Sequence, residues 1–263
     1  MERGRWLVII PIVSVILSVA IVCMGDARID EKTNVLFLGN SYTAGNNLPQ
    51  IFTDLAASGD KEVETDMNTP GGCTLFQHSQ STTSLDMIAE GGWDFVVLQE
   101  QSQYPTIDYY RETYMYPGAR VLDQHIQAVC AETLLFMTWG REYGGKQVIN
   151  GHASPPFVDF YAMQNALRIA YYGIALELTA RVAPVGMAWQ TAMTLNHSVD
   201  LWADDHSHPT YQGSYLAACV LYAVIFNETP EGLAFTGSLS AEQAAFLQYA
   251  AARTVFAKTH VHR

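Results

Sequence analysis

Past residue 32, short apolar runs alternate with longer stretches in which apolar residues recur every three or four positions. Residues 34–39 (NVLFLG), a stretch near 62–67, 95–99 (FVVLQ) and 133–139 (TLLFMTW) read as strands. The runs at 95–99 and 133–139 are continuous and β-rich, as central strands covered on both faces should be. Helical spacing predicts a helix near 48–57 and another over 119–132, where Val121, Leu122, His125, Ile126, Val129 and Cys130 fall on one side. A long helical pattern fills 157–180, and RVAPVGMAW (181–189) predicts a last strand, demoted toward an edge by Pro184. Residues 211–226 and 239–256 predict two closing helices, the second opening on a Ser240-x-x-Gln243 capping box. This alternation predicts an open, doubly wound parallel sheet between helical layers, with ligands beyond the carboxyl ends of its strands.

The N-terminus breaks that pattern. Residues 6–24 form an uncharged apolar run of 19, preceded by Arg3 and Arg5 and followed by Asp26. Its length and flanks predict membrane insertion with the remaining chain outside, so the protein is expected to be exported. Gly25-Asp26-Ala27 offers small residues for cleavage, while the length also suits a retained anchor, so the chain is either secreted or tethered. Val22 before Cys23 is too large for a lipid-attachment signal. Residues 1–32 are therefore assigned to an export signal or anchor plus a polar spacer, and 33–263 to a single domain, since neither a repeat nor a Pro/Gly/Ser linker divides them.

Composition narrows the function classes. With 49% hydrophobic and 15% charged residues the chain is a packed globule. Its 26 acids against 14 bases give a formal net charge of −12, which argues against a nucleic-acid partner. Cys73, Cys130 and Cys219 in the exported part match no metal-site spacing and no disulfide framework. Oligomeric state is left open.

The candidate chemistry lies where the strands end. Gly39-Asn40-Ser41-Tyr42-Thr43 presents a serine after the first strand, Gln99, Glu100, Gln101 and Ser102 follow FVVLQ, and Asp204, Asp205, His206 and His208 precede the closing helices. A hydroxyl is a weak nucleophile at neutral pH, so serine catalysis needs an imidazole to take its proton and a carboxylate to fix the imidazole's tautomer. Asp205 and His208, three residues apart, can supply both. Pro209 suits the first position of a helix, which would place His208 at its N-cap and Asp205 on the preceding turn.

Together, GNSYT after the first strand, GGCT after the second and DHSH before the last helices resemble the SGNH hydrolases, also called the GDSL superfamily, over residues from about 35 to 226. The resemblance implies a flavodoxin-like three-layer α/β/α sandwich with a central parallel sheet, carrying a serine esterase site that needs no cofactor. By position, it implies Ser41 as nucleophile, His208 as general base, Asp205 as the group orienting the imidazole, and Gly72 as the glycine whose N–H joins that of Ser41 in the oxyanion hole. Asn40 stands where the family usually has aspartate. The third block departs more, because LQEQSQ holds no asparagine; Gln99 is the preferred substitute donor and Gln101 the alternative. Location and resemblance together imply a small acyl ester as substrate, acetyl on a carbohydrate first among them.

Two rival readings rest on the same residues. Asp205, His206 and His208, with Asp204, could gather a divalent metal for a metal-dependent hydrolase. Alternatively the fold could serve as a non-catalytic glycan-binding module, with Tyr104, Tyr109, Tyr110, Tyr114 and Tyr116 stacking on sugars; equally, these rings could only pack their loop. Cys73, beside Gly72, has no histidine at a spacing that would serve a thiol mechanism and reads as a small buried hydrophobe, and Trp139 and Trp189, each expected to end a strand, read either as walls of an acyl pocket or as core.

Overall fold

The computed structural model describes residues 32–257. The apolar run at 6–24 lies outside them; among the described residues no helix is long and apolar enough to cross a membrane. Chain order runs β1 (Thr33–Leu38), α1 (Ser41–Ala44), α2 (Leu48–Ala57), β2 (Val63–Asn68), α3 (Leu75–Gln80), α4 (Thr82–Ala89) and β3 (Phe95–Leu98). A short turn of helix, α5 (Asp108–Tyr110), passes through a π-helical stretch, Arg111–Met115, into α6 (Tyr116–Ala128) and β4 (Glu132–Phe136). There follow a hairpin of β5 (Gly145–Ile149) and β6 (His152–Phe157), then α7 (Phe160–Leu178), β7 (Arg181–Ala183), α8 (Val185–Leu195), α9 (Tyr211–Phe226) and α10 (Ala241–Val255).

Five strands form one parallel sheet in the order β2-β1-β3-β4-β7, the flavodoxin-like winding. Phe37 of β1 sits between Met67 of β2 and Val97 of β3. Because side chains alternate along a strand, Val35 and Phe37 enter one core and Leu36 and Leu38 the other. The first core is closed by α2, α8, α9 and α10, the second by α3, α4, α6 and α7. Helix α9 is apolar all round because it is buried all round, from Gly213 to Ile225, between α2 and α10. The flavodoxin-like α/β/α sandwich and nearly all the expected strands and helices are present, the Ser240 capping box on α10 included.

Two expectations are corrected, and one element is new. The segment 181–189 is not one strand: β7 stops at Ala183, Pro184 takes the N-cap position, and α8 begins at Val185, so Trp189 lies in a helix. Pro184 lacks an N–H for the ladder, and its fixed φ suits the entry to a helix better than a strand interior. His208 is not the N-cap of α9, whose cap is Thr210, with its hydroxyl accepting the N–H of Gly213. Pro209 instead pairs across an isolated antiparallel bridge with Trp202. The β5–β6 hairpin is unforeseen from the sequence, although Asn150-Gly151 at its tip, with φ of 45° and 83°, is the dipeptide a type I′ turn demands.

Candidate active site

Five segments meet at the carboxyl edge of the sheet around an open cavity of about 240 Å³. Ser41, Gly72, Gln101, Ser102, Arg141 and His208 are among the residues that line it.

Ser41 is the first residue of α1, immediately past the end of β1. Asn40 holds that corner. Its backbone is extended, its Oδ1 accepts the N–H of Tyr42 as an N-cap should, and its Nδ2 donates to the carbonyl of Cys73, tying the Ser41 loop to the Gly72 loop. The corner is also pinned from below. Gln99 Oε1 accepts the Asn40 N–H at 3.0 Å and the Thr43 hydroxyl at 2.9 Å. The approach is so close that a Cβ on Gly39 would lie 2.6 Å from Thr43 Oγ1 and 2.7 Å from Gln99 Oε1. His78, fully buried, points Nε2 at the carbonyl of Gly39 and Nδ1 at Ser84 Oγ, both at 2.8 Å. A carbonyl can only accept, so Nε2 carries the proton. Burial pushes this imidazole below its ordinary pKa despite the bond to Gly39, as suits a neutral strut.

Ser41 Oγ lies 2.8 Å from His208 Nε2, and His208 Nδ1 is hydrogen-bonded to Asp205 Oδ2. The other carboxylate oxygen, Oδ1, accepts the N–H groups of Ser207 at 3.0 Å and His208 at 2.9 Å. Partial burial works to raise the Asp205 carboxyl, but the bonds from the His208 ring and from these two N–H groups outweigh it and hold the pKa at about 2. Asp205 is therefore an anion throughout the working range, and it fixes the proton of the neutral imidazole on Nδ1, leaving Nε2 to face the serine. The His208 and Asp205 side chains are 44% and 50% exposed, so a substrate can reach them from solvent.

What holds this exposed loop in place is an aromatic stack. Tyr42 lies flat on Trp139 (4.6 Å, 2°) and Trp139 on Trp189 (4.1 Å, 4°). Trp139 Nε1 donates to the carbonyl of Ser207, and the Tyr42 hydroxyl shares a 2.6 Å hydrogen bond with Ser207 Oγ. Trp202 Nε1 donates to the carbonyl of Gly140, and the Ala203 N–H to the carbonyl of His208. Thus Trp139 and Trp189 are buried core residues that clamp the Asp205–His208 loop through Ser207 rather than walls of an acyl pocket.

Gly72, at φ +68°, is in a backbone region that favours glycine, and a Cβ there would meet nothing within 4 Å; conformation, not space, requires it. Neither its N–H nor that of Ser41 has a partner among the described residues, which leaves both donors free at the cavity. Gln99 does not reach them. It is wholly buried, and its Nε2 donates to the carbonyl of Glu100 at 2.6 Å. Of the two glutamines it is Gln101 that lines the cavity: its Oε1 accepts the N–H groups of Gln103 and Tyr104, while its Nε2 has only a 3.3 Å contact with Gln103 Oε1.

The remaining candidates separate from the site. His206, at φ +59°, turns Nδ1 to Glu142 at 2.7 Å and stands beside Tyr143, away from the Asp205–His208 pair. Among the described residues no group of three or more His, Cys, Asp or Glu side chains gathers as a metal site. Tyr104, Tyr109, Tyr110 and Tyr114 pack on one another, and Tyr109 stacks on His152 of the hairpin at 3.7 Å. Cys73 is a free thiol that donates to the Thr74 carbonyl, and burial raises its pKa, the reverse of an activated thiolate. Tyr42, Ser207 and Arg141 escape sequence reasoning, and Trp139, read there only as pocket wall or core, is not foreseen as a clamp on the Asp205–His208 loop. The one available signal is that each lies within a few residues of a predicted site residue or strand end.

No family model and no curated protein matches the chain. Solved structures do. A DUF4886 family protein from Bacteroides uniformis superposes with a TM-score of 0.68 at 17% identity, over 84% of this chain and 93% of that one. A Slackia heliotrinireducens protein assigned to the SGNH hydrolases gives 0.60 at 26% identity, over 74% of this chain and all of the other. An acetyl xylan esterase from Geobacillus stearothermophilus gives 0.54 at 16% identity, over 78% and 97%. The parallel sandwich with a serine, a histidine and an aspartate at its carboxyl edge is thus an SGNH-hydrolase architecture. The likeness extends to the three-dimensional fold, and the solved structures similar to this chain include SGNH and GDSL-like proteins.

Proposed function

We propose that the protein is a serine esterase that removes a short acyl group, acetyl on a carbohydrate in the first instance, through an acyl-enzyme on Ser41. The observation that carries this reading is the continuous chain from Ser41 Oγ through His208 to Asp205. His208 Nε2 takes the serine proton as Oγ attacks the ester carbon, and the anionic Asp205 stabilises the imidazolium that forms. The carbonyl oxygen becomes an oxyanion facing the free N–H groups of Ser41 and Gly72, with Gln101 Nε2 as the third donor. Collapse expels the alcohol, which leaves with the proton from His208. A water activated by the same imidazole then frees the acid and restores Ser41.

A short acyl group is favoured because about 240 Å³ falls below the roughly 300–1,000 Å³ of cavities that enclose drug-sized ligands. The fold shared with acetyl xylan esterases supports acetyl. The apolar run at 6–24 supports action outside the cytoplasmic membrane, by a secreted or tethered enzyme. Ser41→Ala tests the mechanism. It should lower turnover of p-nitrophenyl acetate by about 10³-fold or more with an unchanged melting temperature. Turnover kept within about tenfold of wild type would sink the serine mechanism.

A further inference from the structure

Arg141 is the charge in the catalytic cavity that the reaction does not use. It follows β4 at the carboxyl edge of the sheet and lines the same cavity as Ser41 and His208. Among the described residues its guanidinium makes one side-chain hydrogen bond, from Nη2 to Ser102 Oγ at 3.3 Å. The acid side chains of the neighbouring loops are engaged elsewhere. Asp205 holds His208, Glu142 holds His206, and the buried Glu100 takes the N–H groups of Gln101 and Leu75. By contrast Arg111, Arg120 and Arg181 each pair with an acid. In a chain of formal net charge −12, an arginine that lines the same cavity as Ser41 without an acid partner among the described residues marks a site for an anion.

The position is also preorganised. The Arg141 N–H donates to Met163 Sδ, and the preceding Gly140 is held through its N–H by Gln164 and through its carbonyl by Trp202. A guanidinium is planar and permanently charged, with donors paired at the spacing of carboxylate oxygens. An acetyl group and a neutral alcohol offer it nothing of that kind.

We infer that the alcohol half of the substrate carries a carboxylate near the ester, as an acylated uronic-acid sugar does, and that Arg141 is the specificity residue that binds this carboxylate. The inference rests on the esterase reading. It differs from a role for Arg141 in oxyanion stabilisation, which would speed charged and neutral esters alike.

The test compares an O-acetylated galacturonic acid methyl glycoside with its uncharged carboxamide, in wild type, Arg141→Gln and Arg141→Lys. Wild type should favour the carboxylate by about tenfold or more in kcat/KM, within the range of a charge-assisted hydrogen bond. The ratio should fall to about one in Arg141→Gln and stay intermediate in Arg141→Lys, whatever happens to the factor common to both esters. A wild-type ratio near one overturns the inference, as does a ratio that survives in Arg141→Gln. Labelling of Ser41 by a fluorophosphonate separates the two levels: a labelled wild type with a ratio near one refutes the Arg141 assignment alone, and a wild type that neither labels nor hydrolyses refutes the esterase reading and this inference with it.

Discussion

Replacing Glu100 by glutamine should stabilise the protein at neutral pH, by an amount that shrinks as the pH is lowered. The Glu100 side chain is wholly buried. One oxygen accepts the Gln101 N–H at 2.6 Å and the Leu75 N–H at 3.3 Å, and the other has no partner among the described residues. Burial, against the pull of these two bonds, pushes the carboxyl from 4.5 up to about 8. The native state therefore keeps a proton that the unfolded chain has already released. Stability on this account is full below about pH 4.5, declines by about 1.4 kcal/mol per pH unit above it, and levels off beyond about pH 8. At about pH 7 the accumulated penalty is about 3 kcal/mol. Glutamine keeps the shape and has no proton to lose, but it buries two unbonded N–H groups where the acid has one O–H, which costs about 1 kcal/mol. The variant should gain about 2 kcal/mol at about pH 7 and lose slightly at about pH 4, as measured by urea unfolding across that range. Other titrating groups cancel in the difference between the two proteins. A difference that does not change with pH would refute the buried, protonated Glu100.

Asp205→Asn should lower kcat by about 10³–10⁴-fold, because an amide neither holds the Nδ1 proton nor stabilises the imidazolium; ester kinetics check this, and a loss under tenfold would remove Asp205 from the triad. The stability contributed by the Asp205 carboxylate, small because its side chain is half exposed, is present above 3.8 and lost as the pH falls through about 2. Gln99→Ala should destabilise the fold by about 3 kcal/mol by orphaning the buried Asn40 N–H and Thr43 hydroxyl, whereas Gln101→Ala, which frees two N–H groups in a part-buried loop, should cost less stability and lower kcat by about 10²-fold. The opposite pattern in the two variants would return the oxyanion donor to Gln99.

The middle of the sheet is legible in the sequence because β1, β3 and β4 are covered on both faces and read as short unbroken apolar runs, whereas the edge strands β2 and β7 are half exposed and carry a weaker signal. Ser41 and the Asp205–His208 pair are legible because the residue types a Ser-His-Asp set needs stand at strand ends in the sequence, and the structure brings them together. Gln99 and Gln101 show the limit. Both follow β3, but β3 ends at Leu98, and the loop beyond it no longer keeps strand alternation; Gln99 drops beneath the nucleophile loop and Gln101 faces the cavity. The hairpin was hidden by Pro155 and Pro156, which argue against a strand yet are tolerated in an isolated pair with open edges. The aromatic clamp depends on tertiary stacking between Tyr42, Trp139 and Trp189, which are far apart in the chain and carry no shared local signal.

The central claim is that His208 activates Ser41 as a nucleophile, and a fluorophosphonate probe tests it most directly, since the probe reacts only with such a hydroxyl. Mass spectrometry of the labelled wild type should find one adduct per chain, mapped to Ser41, with labelling abolished in Ser41→Ala and slowed by about 10³-fold or more in His208→Ala. An unlabelled wild type, or an adduct mapped to any other residue, would contradict it.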